Sequence, residues 1–180
     1  MSLNQWGRYQ GTLGGKVFGT AFGPYGYGST CNHQSTNVSS VWPTADLAIF
    51  VPVVLEGPTV IAQLYCVNGT VVAGNVDVGI YSVDGTRLAS AGSTAQAGTS
   101  ASQRFNITDI RLDAGLYYMA LALSDAATAT INGMTLASAE LGRVVGFAQM
   151  ATAFPLPAVA TFASYTKLAV PTFGFLGAAV

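Results

Sequence analysis

Charge is the scarcest property of this sequence. Seven Lys and Arg and eight Asp and Glu make up 8% of 180 residues, against roughly 25% in an ordinary soluble domain. The few cations stand singly. No basic patch exists to hold a nucleic acid, and no polybasic stretch invites an anionic membrane. One histidine, His33, and two cysteines, Cys31 and Cys66, are too few ligands for a zinc site. No metal and no cofactor is therefore expected. Neither cysteine belongs to a CxxC pair; two free, mostly buried thiols are expected, with a single bridge between them as the alternative. The first residues lack the basic start and apolar core of a signal peptide. The uncharged apolar stretch 144–166 contains Pro155, Pro157 and several polar residues, so no membrane insertion is expected. So little charge leaves two readings of the surface. Either partners cover much of it, or a Ser/Thr/Gly-rich β protein stays in solution without charge.

What the sequence does have is β pattern. Leu112 to Ser124, LDAGLYYMALALS, reads as a long buried strand entered through a turn at Asp113-Ala114-Gly115, with Gly115 able to take positive φ. Tyr117, Met119, Leu121 and Leu123 share one bulky face. Leu116, Tyr118, Ala120 and Ala122 share the other, whose small residues suit the close approach of another layer. Its Met, Ala and Leu also suit a helix, but an opening glycine and two tyrosines favour the strand. Upstream, Val76, Val78, Ile80 and less cleanly Ser82 alternate towards Asp84-Gly85, which suits a type I′ hairpin turn. Leu47 to Leu55 and Thr59 to Val67 read as strands around the turn Glu56-Gly57-Pro58. Pro52 suggests an edge or a bulge. Asn68-Gly69 signals a further hairpin. Residues 91–102 form a small polar loop, either mobile or at a tip. Gln103 to Thr108 and Thr128 to Ile131 are short strands, the latter ending before Asn132-Gly133. Met134 to Val145 has room for a helical turn. Short strands at near-regular spacing predict an all-β fold, an antiparallel β-sandwich of jelly-roll-like kind, over residues 46–180.

The two ends differ from this body. Residues 1–45 are rich in glycine and aromatics and have no apolar period, so they predict an extended N-terminal arm. Trp6, Tyr9, Phe18, Phe22, Tyr25 and Tyr27 are spaced anchors that order either against a neighbouring subunit or back on the chain's own body. The last thirty residues hold one charge, Lys167, and Pro155, Pro157 and Pro171 forbid a long helix there. An exposed tail this apolar would aggregate. It either completes the sandwich as edge strands or is buried in another subunit, with Phe154, Phe162, Phe173 and Phe175 as candidate interface residues.

No chemistry stands out. Cys31 and His33 could share a face of an extended chain, but a nucleophile pair also needs contact and a third, orienting group. Most of the eight carboxylates sit beside turns, where Asp bonds local backbone; nothing marks a hydrolytic pair. Asp109 and Asp113 flank a turn without a calcium-loop spacing. GTLGG near the start lacks the Lys-Ser/Thr and the strand-helix context of a phosphate loop. Asn37, Asn68 and Asn106 match the glycosylation acceptor pattern and are read as chance matches. The chain is expected not to be an enzyme.

The stretch VDVGIYSVDGTRLASAGS, a polar loop, then RFNITDIRLDAGLYYMALALSD resembles jelly-roll or sandwich modules of bacteriophage virion proteins, in tails, tail tips and head decoration. The resemblance covers about a third of the chain and carries no catalytic residues. It implies a structural virion protein, assembled in the host bacterial cytoplasm, that associates with copies of itself and with other virion proteins. The alternative is a carbohydrate- or receptor-binding module of a tail fibre or tip, in which Trp6, Trp42 or loop tyrosines stack on a host-surface glycan.

Overall fold

The computed structural model describes residues 38–177 and, by backbone alone, 27–29. Among the described residues the chain is almost wholly antiparallel β structure with one short helix. The strands are β1 (Tyr27–Ser29), β2 (Val38–Val41), β3 (Ala48–Leu55), β4 (Thr59–Val67), β5 (Asn75–Ser82), β6 (Arg87–Ser90), β7 (Thr94–Ala95), β8 (Ser102–Leu112), β9 (Gly115–Leu123), β10 (Thr130–Thr135), β11 (Ala148–Met150), β12 (Ala163–Ser164), β13 (Ala169–Pro171) and β14 (Phe173–Gly177). The helix, α1 (Ala139–Val144), falls where a helical turn had room to form.

Three sheets result. A seven-stranded sheet runs β12-β11-β3-β9-β5-β6, with β7 also on β5; a four-stranded sheet runs β1-β14-β4-β8; a three-stranded sheet runs β13-β10-β2. The predicted central strand, β9, lies between β3 and β5, with Ala120 facing Phe50 on one side and Gly79 on the other.

The period-two pattern sorts its side chains as the residues suggest. Met119, Leu121 and Leu123 join Ile49, Val51 and Val53 of β3 and Val76, Val78 and Ile80 of β5 in the main core. The four-stranded sheet supplies Ile61, Leu64, Phe105, Phe173 and Phe175 to that core, and the small sheet supplies Ile131 and Val170. The opposite face of β3, β5 and β9 presents Ala48, Phe50, Tyr81, Ala120 and Ala122, which form a second cluster. The layer that approaches this small-residue face is a strap, residues 151–162, between β11 and β12. Ala153, Leu156 and Ala160 are buried in it, and Phe162 stacks edge-on against Phe50 at 5.0 Å.

Several local expectations need correcting. Val38–Val41 pairs with β10, and Trp42 is buried in the core, so the end of the stretch read as an arm is built into the body. Asp84-Gly85 does close the β5–β6 hairpin, but with Gly85 alone left-handed (φ 87°) and a bulge at Leu88 after it. That is a longer turn than the two-residue primed type. Gly115 begins β9 in extended backbone and needs no positive φ. Pro52 lies in β3, which has neighbours on both sides at Ala48–Phe50. At Pro52 β11 has ended, and the missing N–H falls where β3 is locally an edge.

The two Asn-Gly pairs are not turns. Asn132-Gly133 continues β10, and a Cβ on Gly133 would fall on the Val170 carbonyl of β13, so glycine here permits close strand approach. Asn68-Gly69 leads out of the four-stranded sheet, and Asn68 is fully buried.

Candidate functional site

Polar chemistry in the described residues gathers at two buried places. The first lies under the strap. Asp77 sits in the middle of β5, on the small-residue face, and is completely buried. Ser90 of β6 donates a hydrogen bond to its Oδ1 at 2.8 Å, and the Leu156 N–H of the strap donates to its Oδ2 at 3.0 Å. Arg87 of β6 donates to the Leu156 carbonyl, and Tyr81 donates its hydroxyl hydrogen to the Pro157 carbonyl at 2.7 Å. Main-chain bonds from Arg87 N to Ala158 O (2.9 Å) and from Ala160 N to Gly85 O (2.8 Å) continue the attachment. Gly79 makes room for it, because a Cβ there would lie 2.8 Å from a Leu156 methyl.

The electrostatics follow from this enclosure. Burial pushes the Asp77 carboxyl above its ordinary range, and the bonds from Ser90 and Leu156 and the Arg87 charge only partly offset that. Burial likewise raises the Tyr81 phenol. A carboxylate, a guanidinium and a phenol together resemble an acid–base set. Here each is directed at the backbone of one peptide segment. No second carboxylate stands beside Asp77, so the geometry of a paired-carboxylate hydrolase is lacking at this place. What the arrangement does chemically is fasten the strap.

The second place is an amide network beneath the loop that follows β6. Gln96 donates to Asn68 Oδ1 (3.1 Å) and to the Thr130 carbonyl (2.9 Å), and accepts from Ala73 N–H at 2.9 Å. Asn68 donates to the Ala97 carbonyl (2.5 Å) and to Gln103 Oε1 (3.0 Å). The loop read as mobile or as a tip is thus tied to β4, β8 and β10. The same burial closes Asn68 to glycosylation. Asn106, by contrast, lies exposed on β8, its Oδ1 accepting a bond from Gln63 at 2.6 Å. Cys66 is a free thiol inside the core, 3.6 Å from Asn68 Oδ1, and burial pushes its pKa up to about 12. It is chemically quiet at ordinary pH.

The residues singled out in the sequence do not converge. Trp6, Tyr9, Phe18, Phe22, Tyr25, Cys31, His33 and Asn37 lie outside the described residues. Tyr27 is described by its backbone, opposite Leu176 of β14. Phe173 and Phe175 are fully buried in this chain's own core, where they complete the four-stranded sheet. Phe154 and Phe162 are half-buried, packed on the second cluster. Trp42, a candidate for stacking on sugar, is instead a core residue whose Nε1 donates to the Leu47 carbonyl at 3.2 Å. A shallow hollow of about 10 Å³ beside it, lined by Val41, Ile131 and Pro171 among others, has the size of one water rather than of a ligand.

Among the described residues, no group of three or more His, Cys, Asp or Glu is placed to hold a metal ion. In the same residues, no helix is long and apolar enough to cross a membrane. Sequence reasoning missed Asp77, Arg87 and Gln96. The only signal for Asp77 was an acidic residue in mid-strand between valines, with a glycine two residues on. Comparison with protein families, with curated proteins and with solved structures gives no match for this chain.

Proposed function

We propose that this chain is a non-enzymatic structural subunit of a bacteriophage virion, in tail or capsid. In this reading the body is a jelly-roll-like β-sandwich, and copies join to one another and to other virion proteins, with the N-terminal aromatic stretch as the principal contact. One observation carries the reading. A chain with 8% charged residues also leaves Val54, Leu116, Val83, Val144 and Val159 exposed. Such a surface favours association over free solution. One further feature is in keeping with a structural role. The buried carboxylate, guanidinium and phenol are all engaged in holding one segment of the chain.

The C-terminal segment has a smaller part in assembly than its composition suggests, because Phe173 and Phe175 are already enclosed. The alternative reading, a glycan- or receptor-binding module, loses Trp42 as a stacking platform for the same reason.

The test is the mass of the full chain in solution, by light scattering or native mass spectrometry. The reading expects a closed oligomer at a fixed multiple of the chain mass. Removing residues 1–26 should yield a folded monomer. A monodisperse monomer of the full chain at high concentration would overturn the proposal.

A further inference from the structure

The strap covers only part of the outer face of the seven-stranded sheet. Leu156 lies over Gly79, and Phe162 lies over Phe50 and Tyr118, with ring centroids 5.0 and 4.6 Å apart. Among the described residues, the next row towards the end of the sheet is only partly covered. Val54 and Leu116 face each other across β3 and β9, 49% and 45% exposed. Val83 and Val159, at the nearby β5–β6 hairpin and its bridge to the strap, are 54% and 64% exposed. This aliphatic row is too narrow for an isologous face-to-face interface, which needs on the order of 1,200 Å². The strap itself shows what fits such a surface: a segment of irregular backbone that lays bulky apolar side chains, Leu156 and Phe162, on it.

Residues 1–26 have that character. They carry Trp6, Tyr9, Phe18, Phe22 and Tyr25 on a glycine-rich backbone, and their only charges are Arg8 and Lys16. The row is bordered by acids, with Asp84 directly after Val83 and Asp113 two residues before Gly115, so the charges are complementary. The segment leads into β1, which belongs to the four-stranded sheet. That sheet meets the opposite face of the seven-stranded sheet, so a copy's own row lies on the far side of its core from β1.

We propose that residues 1–26 of one copy dock on the Val54–Leu116 row of a neighbouring copy. This deepens the assembly reading above and rests on it. The aromatic side chains cover the aliphatic row, and Arg8 and Lys16 lie towards the Asp84 and Asp113 carboxylates.

The test uses full-length protein and two variants of it. One replaces the row (Val54→Lys with Leu116→Lys). The other replaces the anchors (Trp6→Ser, Tyr9→Ser and Phe18→Ser). Mass in solution and thermal unfolding are measured for all three. The expected result is an oligomer for the parent and monomers for both variants, association weakened at least tenfold, with unfolding temperatures of the body unchanged. If the row variant fails to fold, Val54→Thr with Leu116→Thr replaces it, with the same expectation. An oligomer that survives the row change overturns the docking row and leaves the assembly reading standing. Loss of association in the row variant alone overturns the arm as occupant. A monomeric parent overturns both.

Discussion

Replacing Asp77 tests whether the strap is held by side chains aimed at its backbone. In Asp77→Ala, the Leu156 N–H loses its acceptor at 3.0 Å and stays under the strap, away from water. Ser90 loses its bond at 2.8 Å, but its hydroxyl still accepts from Gly92 N–H at 2.9 Å and can turn. A buried donor left without a partner costs about 1–3 kcal/mol, and relief from burying a carboxylate returns part of this. A net loss of about 2 kcal/mol is expected, which for a chain of this size lowers the unfolding temperature by roughly 4–8 °C. Asp77→Asn is the informative partner. Its amide oxygen can accept from Leu156 N–H and its amide nitrogen can donate to Ser90, so it should stay within about 1 kcal/mol of the parent.

Parent and Asp77→Asn also differ in how they respond to pH. Burial raises the folded-state pKa of Asp77 above its ordinary value. The folded protein then holds this proton more tightly than the unfolded chain does. The stability Asp77 contributes is fully present below the ordinary carboxylate pKa and is lost as pH rises through the raised one. Urea unfolding of parent and Asp77→Asn from about pH 4 to about pH 8 should therefore show the Asn variant gaining on the parent as pH rises. A difference that is flat across this range, or an Asn variant as damaged as the Ala variant, would refute the reasoning.

Three further outcomes follow from other buried groups. Gly133→Ala sets a Cβ against the Val170 carbonyl, so β10 and β13 must separate; a loss of about 3 kcal/mol is expected, read as a lowered unfolding temperature. Gln96→Leu removes two donors and one acceptor from the amide network and leaves Asn68 Oδ1 and the Ala73 N–H short of partners. About 3 kcal/mol should be lost, and hydrogen exchange at Ala73 should quicken while exchange in β9 follows only the global change. Cys66, buried and with its pKa at about 12, should resist iodoacetamide in the folded protein at mildly alkaline pH and react once guanidinium unfolds it, as read from the mass of its peptide.

The sheet was legible where a residue's neighbours along the chain decide its place. Alternation in β9 and β5 separated the two faces correctly, because a strand buried on both sides still sorts large from small side chains at period two. The Asp84-Gly85 hairpin was legible for the same reason, though not its turn type. Places decided by contacts distant in sequence were not. Asn68-Gly69 and Asn132-Gly133 look identical to turns, yet one is a buried hydrogen-bonding node reached by Gln96 and Gln103, and the other is a strand whose glycine admits β13. Nor does the sequence around Pro155 and Pro157 announce that it will lie on β5. What puts it there is Asp77, nearly eighty residues earlier.

The strap also bears on why so few charges suffice. A covering segment without regular ladder partners has backbone donors and acceptors that must be met somewhere. This chain meets them with Asp77, Arg87 and Tyr81, turning two of its scarce ionisable side chains towards the strap. The outer surface is left poorer in charge than composition alone suggests, and the partly covered end of the same face is aliphatic. A protein selected to remain a free monomer would gain by placing charges along that row, where Val54 and Leu116 are about half exposed. That these positions remain aliphatic is the physical reason to look for a second segment there, laid down as the strap is, but supplied by another copy.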